Sequence, residues 1–204
     1  MSSEQVDPGV NSARVALITG SGAPRLGNRI ARALAAEGYR VALHYRQSGD
    51  GAEQTKSDIE QVGGVADVFQ ADVASESQVD RLMQDVMDRF GQMDLLINAA
   101  SRWQKGALED ITVDDVRAAF ETDALGTFLC ARRAGLLMAE QPAGGCIINI
   151  GDASTDQPRT GEAAYYLAKG GIPVLTRVLA VELASRNAGV RVNAILPGSV
   201  LAPE

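Results

Sequence analysis

Tyr165 and Lys169 stand four residues apart in the stretch AAYYLAK, a spacing that puts both on one face of a helix. A phenol in water holds its proton to about pH 10. An ammonium one turn away, and a cationic ring bound nearby, would both favour the phenolate and lower that value. The pair therefore suits a reduction in which hydride goes to carbon and a proton to oxygen or nitrogen. On an arbitrary helix the same two residues are packing plus a surface charge, so their meaning depends on what positions them. Tyr166 points about 100° away around the helix and is set aside. The chain has a single histidine, His44, in an early strand-like stretch, which speaks against a Ser-His-Asp hydrolase or a histidine-based dehydrogenase.

The elements that would position the pair alternate. RVALIT (14–19) is a short apolar run that ends at glycines, as a fully buried parallel strand does. NRIARALAAEG reads as a helix closed by Gly38, and YRVALHY (39–45) as the next strand. A polar helix over 51–62, a strand over 65–72 and a helix over 77–90 follow. The last of these carries Val79, Leu82, Met83, Val86, Met87 and Phe90 on one face. MDLLINAA (93–100) is a strand. Thr112 with Asp115 opens a helix of about 25 residues with a capping-box pattern. CIINIG (146–151), a helix over 162–186 and VRVNAIL (190–196) complete the series. Pro173 removes a backbone donor inside that helix, and a kink is expected there. Six strand–helix units predict an α/β fold, a doubly wound parallel sheet with helices on both faces. Residues 1–12 read as a flexible polar tail and 13–204 as one domain.

In such sheets ligands sit at the carboxyl ends of the strands, and the polar clusters of this chain fall at those ends. LITGSGAPRLG (17–27) follows a strand and opens a helix, where backbone N–H groups and the helix N-terminus can approach a pyrophosphate. Its glycines depart from the G-x-G-x-x-G spacing: Gly20 and Gly22 fit, whereas Gly27 comes two positions late. The second strand ends in HYRQS, where an acid would bind the ribose 2′-hydroxyl of NAD. His44, Tyr45, Arg46 and Ser48 stand there instead, with Arg25 of the loop facing the same spot. Two guanidinium groups and a hydroxyl suit a 2′-phosphate, so NADPH is the expected cofactor; two solvated arginines are the alternative. Asp72 could bond an adenine amino group, or simply end a strand. Asn98, Ala99, Ala100 and Ser101 follow the fourth strand, small enough for close approach of ribose and nicotinamide.

Composition narrows the partners. The 204 residues suit one domain, 46% of them hydrophobic and 22% charged. Nineteen basic against 26 acidic residues leave a net charge of −7, which argues against nucleic acid and anionic membranes. Cys130 and Cys146 are isolated, pointing to a reducing compartment and no metal site. The polar N-terminus lacks an apolar signal core, and a cytoplasmic protein with a small-molecule substrate is expected.

Together TGSGAPRLG, the NAAS run, and YYLAK followed by RVNAILPGSV resemble the short-chain dehydrogenase/reductases, from about residue 13 to the C-terminus. Within that superfamily the chain resembles pteridine reductases and their bacterial relatives. The shared features are Arg25-Leu26-Gly27, the His-Tyr-Arg cluster and the segment INIGDASTDQP. The resemblance implies a Rossmann domain, NADPH, a pterin-like substrate, and catalysis by Tyr165, Lys169 and Asp152, with Lys169 also on the cofactor. Asp152 stands where most of the superfamily has a serine. A carboxylic acid there suits a C=N bond, although aspartate also caps turns. Trp103 matches an aromatic that stacks the pterin against the nicotinamide; a core or interface tryptophan is the alternative. Ser101, Pro197, Gly198 and Ser199 would line the same pocket. Reduction of a ketone, or cofactor binding with little catalysis, are the rival functions.

Three departures stand out. The loop is one residue longer than usual, and Pro24 would stiffen it. Asp123 replaces the superfamily's asparagine and could pair with Lys169. The chain ends at Pro203-Glu204, where the family continues with a substrate-covering helix and a seventh strand. The expectation is a sheet lacking both, in a chain that is either a fragment or works with an open site, and a homo-tetramer only if that segment is present.

Overall fold

A computed structural model describes residues 13–198; the tail expected over 1–12, Ser199 and the chain end lie outside the described residues. Six strands form one parallel sheet: β1 (Val15–Thr19), β2 (Arg40–Tyr45), β3 (Val65–Gln70), β4 (Leu95–Asn98), β5 (Gly145–Ile150) and β6 (Val190–Ile195). Their spatial order is β3-β2-β1-β4-β5-β6, the doubly wound Rossmann arrangement. The order reverses between β1 and β4, so a crevice opens there at the carboxyl ends.

Successive strand residues face opposite sides, and β1 shows the consequence. Val15 and Leu17 enter one core, Ala16 and Ile18 the other. The first core is closed by α3 (Glu76–Phe90), α5 (Gly126–Glu140) and α7 (Ile172–Ala184). The second is closed by α1 (Leu26–Ala36) and α2 (Gly49–Gln61). On α3, Val79, Leu82, Met83, Val86 and Phe90 are buried, and Met87 packs at the margin of the same cluster.

Two expected helices are each divided. Thr112 and Asp115 do form a reciprocal capping box at the start of α4 (Val113–Ala119). The helix then passes through a π-helical segment, Phe120–Leu125, before α5 begins. Such single-turn π segments insert one extra residue per turn and recur at functional sites. The second division falls at Gly170-Gly171, between α6 (Ala163–Lys169) and α7. Pro173 consequently lies in the first turn of α7, where its missing N–H costs nothing, and does not kink a continuous helix. Among the described residues, no helix is long and apolar enough to cross a membrane.

Candidate active site

The strand ends enclose a cavity of about 940 Å³. Its lining takes in nearly all the expected residues: Gly20, Arg25, Leu26, Gly27, His44, Tyr45, Arg46, Ser48, Asp72, Ala99, Ala100, Ser101, Trp103, Asp152, Tyr165, Lys169, Pro197 and Gly198. Asn98 is the exception. Its side chain is buried and turned into the sheet, where Nδ2 donates to Asn149 Oδ1 at 2.9 Å. It ties β4 to β5 at their paired register and does not line the cavity.

The glycine-rich loop is held close to the sheet. Gly20 has φ +69°, and a Cβ there would come within 2.7 Å of Ala100 Cα. Gly22 lies against Tyr45 and Ser48 at the end of β2. Helix α1 starts at Leu26 with no side-chain cap, so the N–H groups of its first turn are open to an anion. A closely packed glycine loop, an uncapped helix start and a long cavity fit the pyrophosphate of a dinucleotide.

Arg25, Arg46 and Ser48 all line the cavity. Arg46 Nε lies 3.1 Å from Asp72 Oδ2, while Asp72 Oδ1 accepts from the Ala74 N–H at 3.0 Å. Each oxygen of Asp72 thus has one partner within the chain and keeps a lone pair for a further donor. His44 differs from expectation. Gly20 N–H donates to its Nδ1 at 3.0 Å, and Nε2–H donates to Ala71 C=O at 3.1 Å. Those two partners require the neutral tautomer with hydrogen on Nε2. Burial pushes its pKa from 6.5 down to about 4, against smaller opposing effects of the Ala71 carbonyl and Asp72. His44 is a splint between the phosphate loop and the end of β3, with no nitrogen left for a ligand.

Asp152, Tyr165 and Lys169 also line the cavity, and Asp123 is buried beside Lys169. Asp152 caps a turn and also contacts Tyr165. Its Oδ1 accepts from the Ser154 N–H at 2.7 Å and caps a short 3-10 turn. Its Oδ2 accepts from Tyr165 Oη–H at 2.9 Å. Lys169 Nζ donates to Ile150 C=O at 3.0 Å and lies 3.2 Å from Asp123 Oδ1. Asp123 is fully buried in the π segment and also accepts from Ser101 Oγ–H and, at 2.9 Å, from the Arg102 N–H. The Ser101 hydroxyl, expected on a ligand, is turned to Asp123.

Lys169 was expected to favour the Tyr165 phenolate. The net effect of the groups around the phenol is a Tyr165 pKa raised above its ordinary value. Burial is the largest cause, followed by the hydrogen bond to Asp152 and the charges of Asp152, Asp123 and Glu162. Tyr165 is a phenol that keeps its proton.

Trp103 is more than half exposed at the cavity mouth, with Lys105 Nζ 5.0 Å from its ring centroid. It is neither a core residue nor, without a ligand, stacked on another ring. Sequence reasoning missed Glu162, a buried carboxylate on the lining with Lys105 Nζ at 3.5 Å. Its place one helical turn before Tyr165 is the signal that could have found it. Tyr166, set aside above, also reaches the lining.

Residues 23–204 match a family described as Enoyl-(Acyl carrier protein) reductase. The chain is 37% identical over 189 residues to a 3-oxoacyl-[acyl-carrier-protein] reductase of Synechocystis, covering 93% of this chain and 75% of the relative. It is 34% identical to a reductase of the same description from Staphylococcus epidermidis, covering 91% and 75%. A dehydrogenase/reductase structure from Sinorhizobium meliloti superposes with a TM-score of 0.85 at 32% identity, covering 92% of this chain and 73% of the other. These likenesses favour the ketone alternative over the pterin reading, to which they lend no specific support.

Proposed function

The chain belongs to the short-chain dehydrogenase/reductase superfamily of oxidoreductases, and from that premise we propose that it is an NADPH-dependent reductase of a C=N bond in a flat, pterin-like substrate. The observation that carries this reading is the hydrogen bond from Tyr165 Oη to Asp152 Oδ2. A carboxylate beside the reacting atom opposes the negative charge that grows on a carbonyl oxygen during ketone reduction. It favours a nitrogen that is protonated or becoming so.

When bound, the nicotinamide supplies a hydride to the substrate carbon. Tyr165 Oη gives its proton to the substrate nitrogen, so that C=N becomes CH–NH with atoms and charge balanced. Asp152 Oδ2 holds the phenol beforehand, and its anchored Oδ1 fixes the direction in which the proton points. Lys169, on the same helix face, would bind the nicotinamide ribose. Gly20, Leu26, Gly27, Ala99, Ala100, Pro197 and Gly198 would surround the rest of the cofactor. Arg25, the terminal NH₂ groups of Arg46, and Ser48 would hold the 2′-phosphate; Tyr45 lies alongside. Trp103 would cover the substrate ring with one π face. The cytoplasm, where NADPH is available, is the proposed location.

A second reading rests on the named relatives: reduction of a 3-oxoacyl thioester at its ketone carbon. NADPH oxidation measured in parallel with 7,8-dihydrobiopterin, dihydrofolate and an acetoacetyl thioester decides between them. Turnover of the pterins above that of the thioester is expected. Activity confined to the thioester would transfer the assignment to the ketone reading.

A further inference from the structure

A second cavity, of about 810 Å³, is built from two segments of the chain: 105–111, which follows β4, and 158–166, which leads into α6. The segments are tied to each other. Gly106 N–H donates to Gly161 C=O at 2.9 Å, and Lys105 Nζ lies 3.5 Å from Glu162 Oε1. Gly161 makes its turn with φ +84°, a value that favours glycine. The wall is mostly apolar, with Ala107, Leu108, Ile111, Pro158 and Ala163 on it. Leu108 is 76% exposed on a short 3-10 turn, and a ligand lying against it would remove that surface from water.

This cavity is continuous with the one at the strand ends, because Lys105, Arg159 and Tyr166 line both. The Tyr166 ring centroid is 5.5 Å from that of Tyr165, so the second cavity begins one ring away from the proton donor. We propose that it seats an apolar extension of the substrate itself, an aryl or alkyl group carried beyond the bond that is reduced. The shared walls point to the reacting molecule as the occupant: a substrate held at Tyr165 can continue past Tyr166 into the hollow. Trp103 on the first cavity and Leu108 on the second stand five residues apart on one segment, each more than half exposed. One segment would thus cover both the flat head and its extension. The inference rests on the reading above for the place of the reacting bond. The apolar chemistry is common to an arylated dihydropterin and to the chain of a 3-oxoacyl thioester.

The test is a comparison of affinities by calorimetry, in the full chain with NADP⁺ present so that no reduction occurs. One pair of ligands is 6-methyl-7,8-dihydropterin and the same ring with a 6-anilinomethyl group. The other is the 3-oxobutanoyl and 3-oxooctanoyl thioesters of N-acetylcysteamine. A fully buried methylene gives about a fourfold gain, so in a partly open hollow the extended member is expected to bind about tenfold tighter. Leu108→Asp should reduce that preference to about twofold or less, since the charge must stay hydrated. Ala107→Trp, which fills the hollow, should do the same. Leu108→Met should keep the preference, and so should Val62→Asp, which removes exposed apolar surface on α2. Equal binding of short and extended ligands in both pairs overturns the proposal, as does a preference that survives Leu108→Asp and Ala107→Trp. A change of oligomeric state in Leu108→Asp at an unaltered preference gives the hollow to a second copy of the chain and overturns it too. A preference confined to the thioester pair upholds the hollow and counts against the C=N reading alone.

Discussion

His44 offers a sharp test because the chain has no other histidine. Its folded pKa is about 4 against 6.5 when unfolded, so the unfolded chain binds a proton at a pH where the folded one does not. The stability contributed by the neutral imidazole is fully present above about pH 6.5 and is lost as the pH falls towards 4. Weighing the two titrations at pH 5 gives a loss of about 2 kcal/mol relative to pH 7.5, rising to about 3 kcal/mol once pH 4 is passed. Carboxylates have ordinary values near 4 and add little above pH 5, so the window between about pH 5 and 7 isolates one group. Urea unfolding of the full chain, followed by circular dichroism at half-unit steps, measures the slope. Protonation of the folded imidazole also converts Nδ1 from acceptor to donor against the Gly20 N–H, so cofactor affinity should hold from about pH 7 to 5 and fall only as the pH approaches about 4. His44→Asn should lower stability at every pH, because Gly20 N–H or Ala71 C=O is left unpaired at about 1–3 kcal/mol each. It should also flatten the slope. A wild-type stability that is constant from pH 7.5 to 5, or a slope unchanged in His44→Asn, refutes the reasoning.

Two further outcomes are expected. Tyr165→Phe should remove most turnover in the reductive direction while leaving NADPH affinity, read by fluorescence titration, nearly unchanged; retained activity would mean another group supplies the proton. Arg25→Ala with Arg46→Ala should weaken NADPH binding by about 1.5–3 kcal/mol per charged hydrogen bond lost and leave NADH binding little altered. An equal loss for both cofactors would place the arginines away from the 2′-phosphate.

The alternation of strands and helices was legible because each central strand is buried on both faces and each helix closes one of them. RVALIT could read only as a strand shared between two cores, and it is. The capping box at Thr112 was legible because it is local: the side chains of Thr112 and Asp115, three residues apart, each accept from the other's backbone N–H. The π turn was not, since a single added residue leaves apolar periodicity nearly intact. Asn98 shows another limit. The sequence places it at the right strand end, but a short strand does not reveal which way its last side chain turns. Lys169 shows the deepest one. Its spacing from Tyr165 and its possible partner Asp123 are both visible in the sequence, and the pair forms at 3.2 Å, whereas the net field of the groups around the phenol is not. Burial and the carboxylates that raise the Tyr165 pKa come from separate elements, and spacing along one helix does not show them. The pterin resemblance rests on side chains at the site, and the relatives reported above are described by other reactions; only the substrate competition separates the two.

One hydroxyl sets the width of the crevice at the switch point. Thr19, buried at the end of β1, accepts from the N–H groups of both Ala99 and Ala100 at 3.0 Å, while its own hydroxyl hydrogen points towards Ile97 C=O. With Gly20 pressed on Ala100 and His44 bracing the loop from behind, the floor of the site is assembled during folding. Ligand entry has no floor to rearrange. The exposed side chains of the rim, Arg46 and Trp103, are then the groups whose ordering a ligand would have to offset.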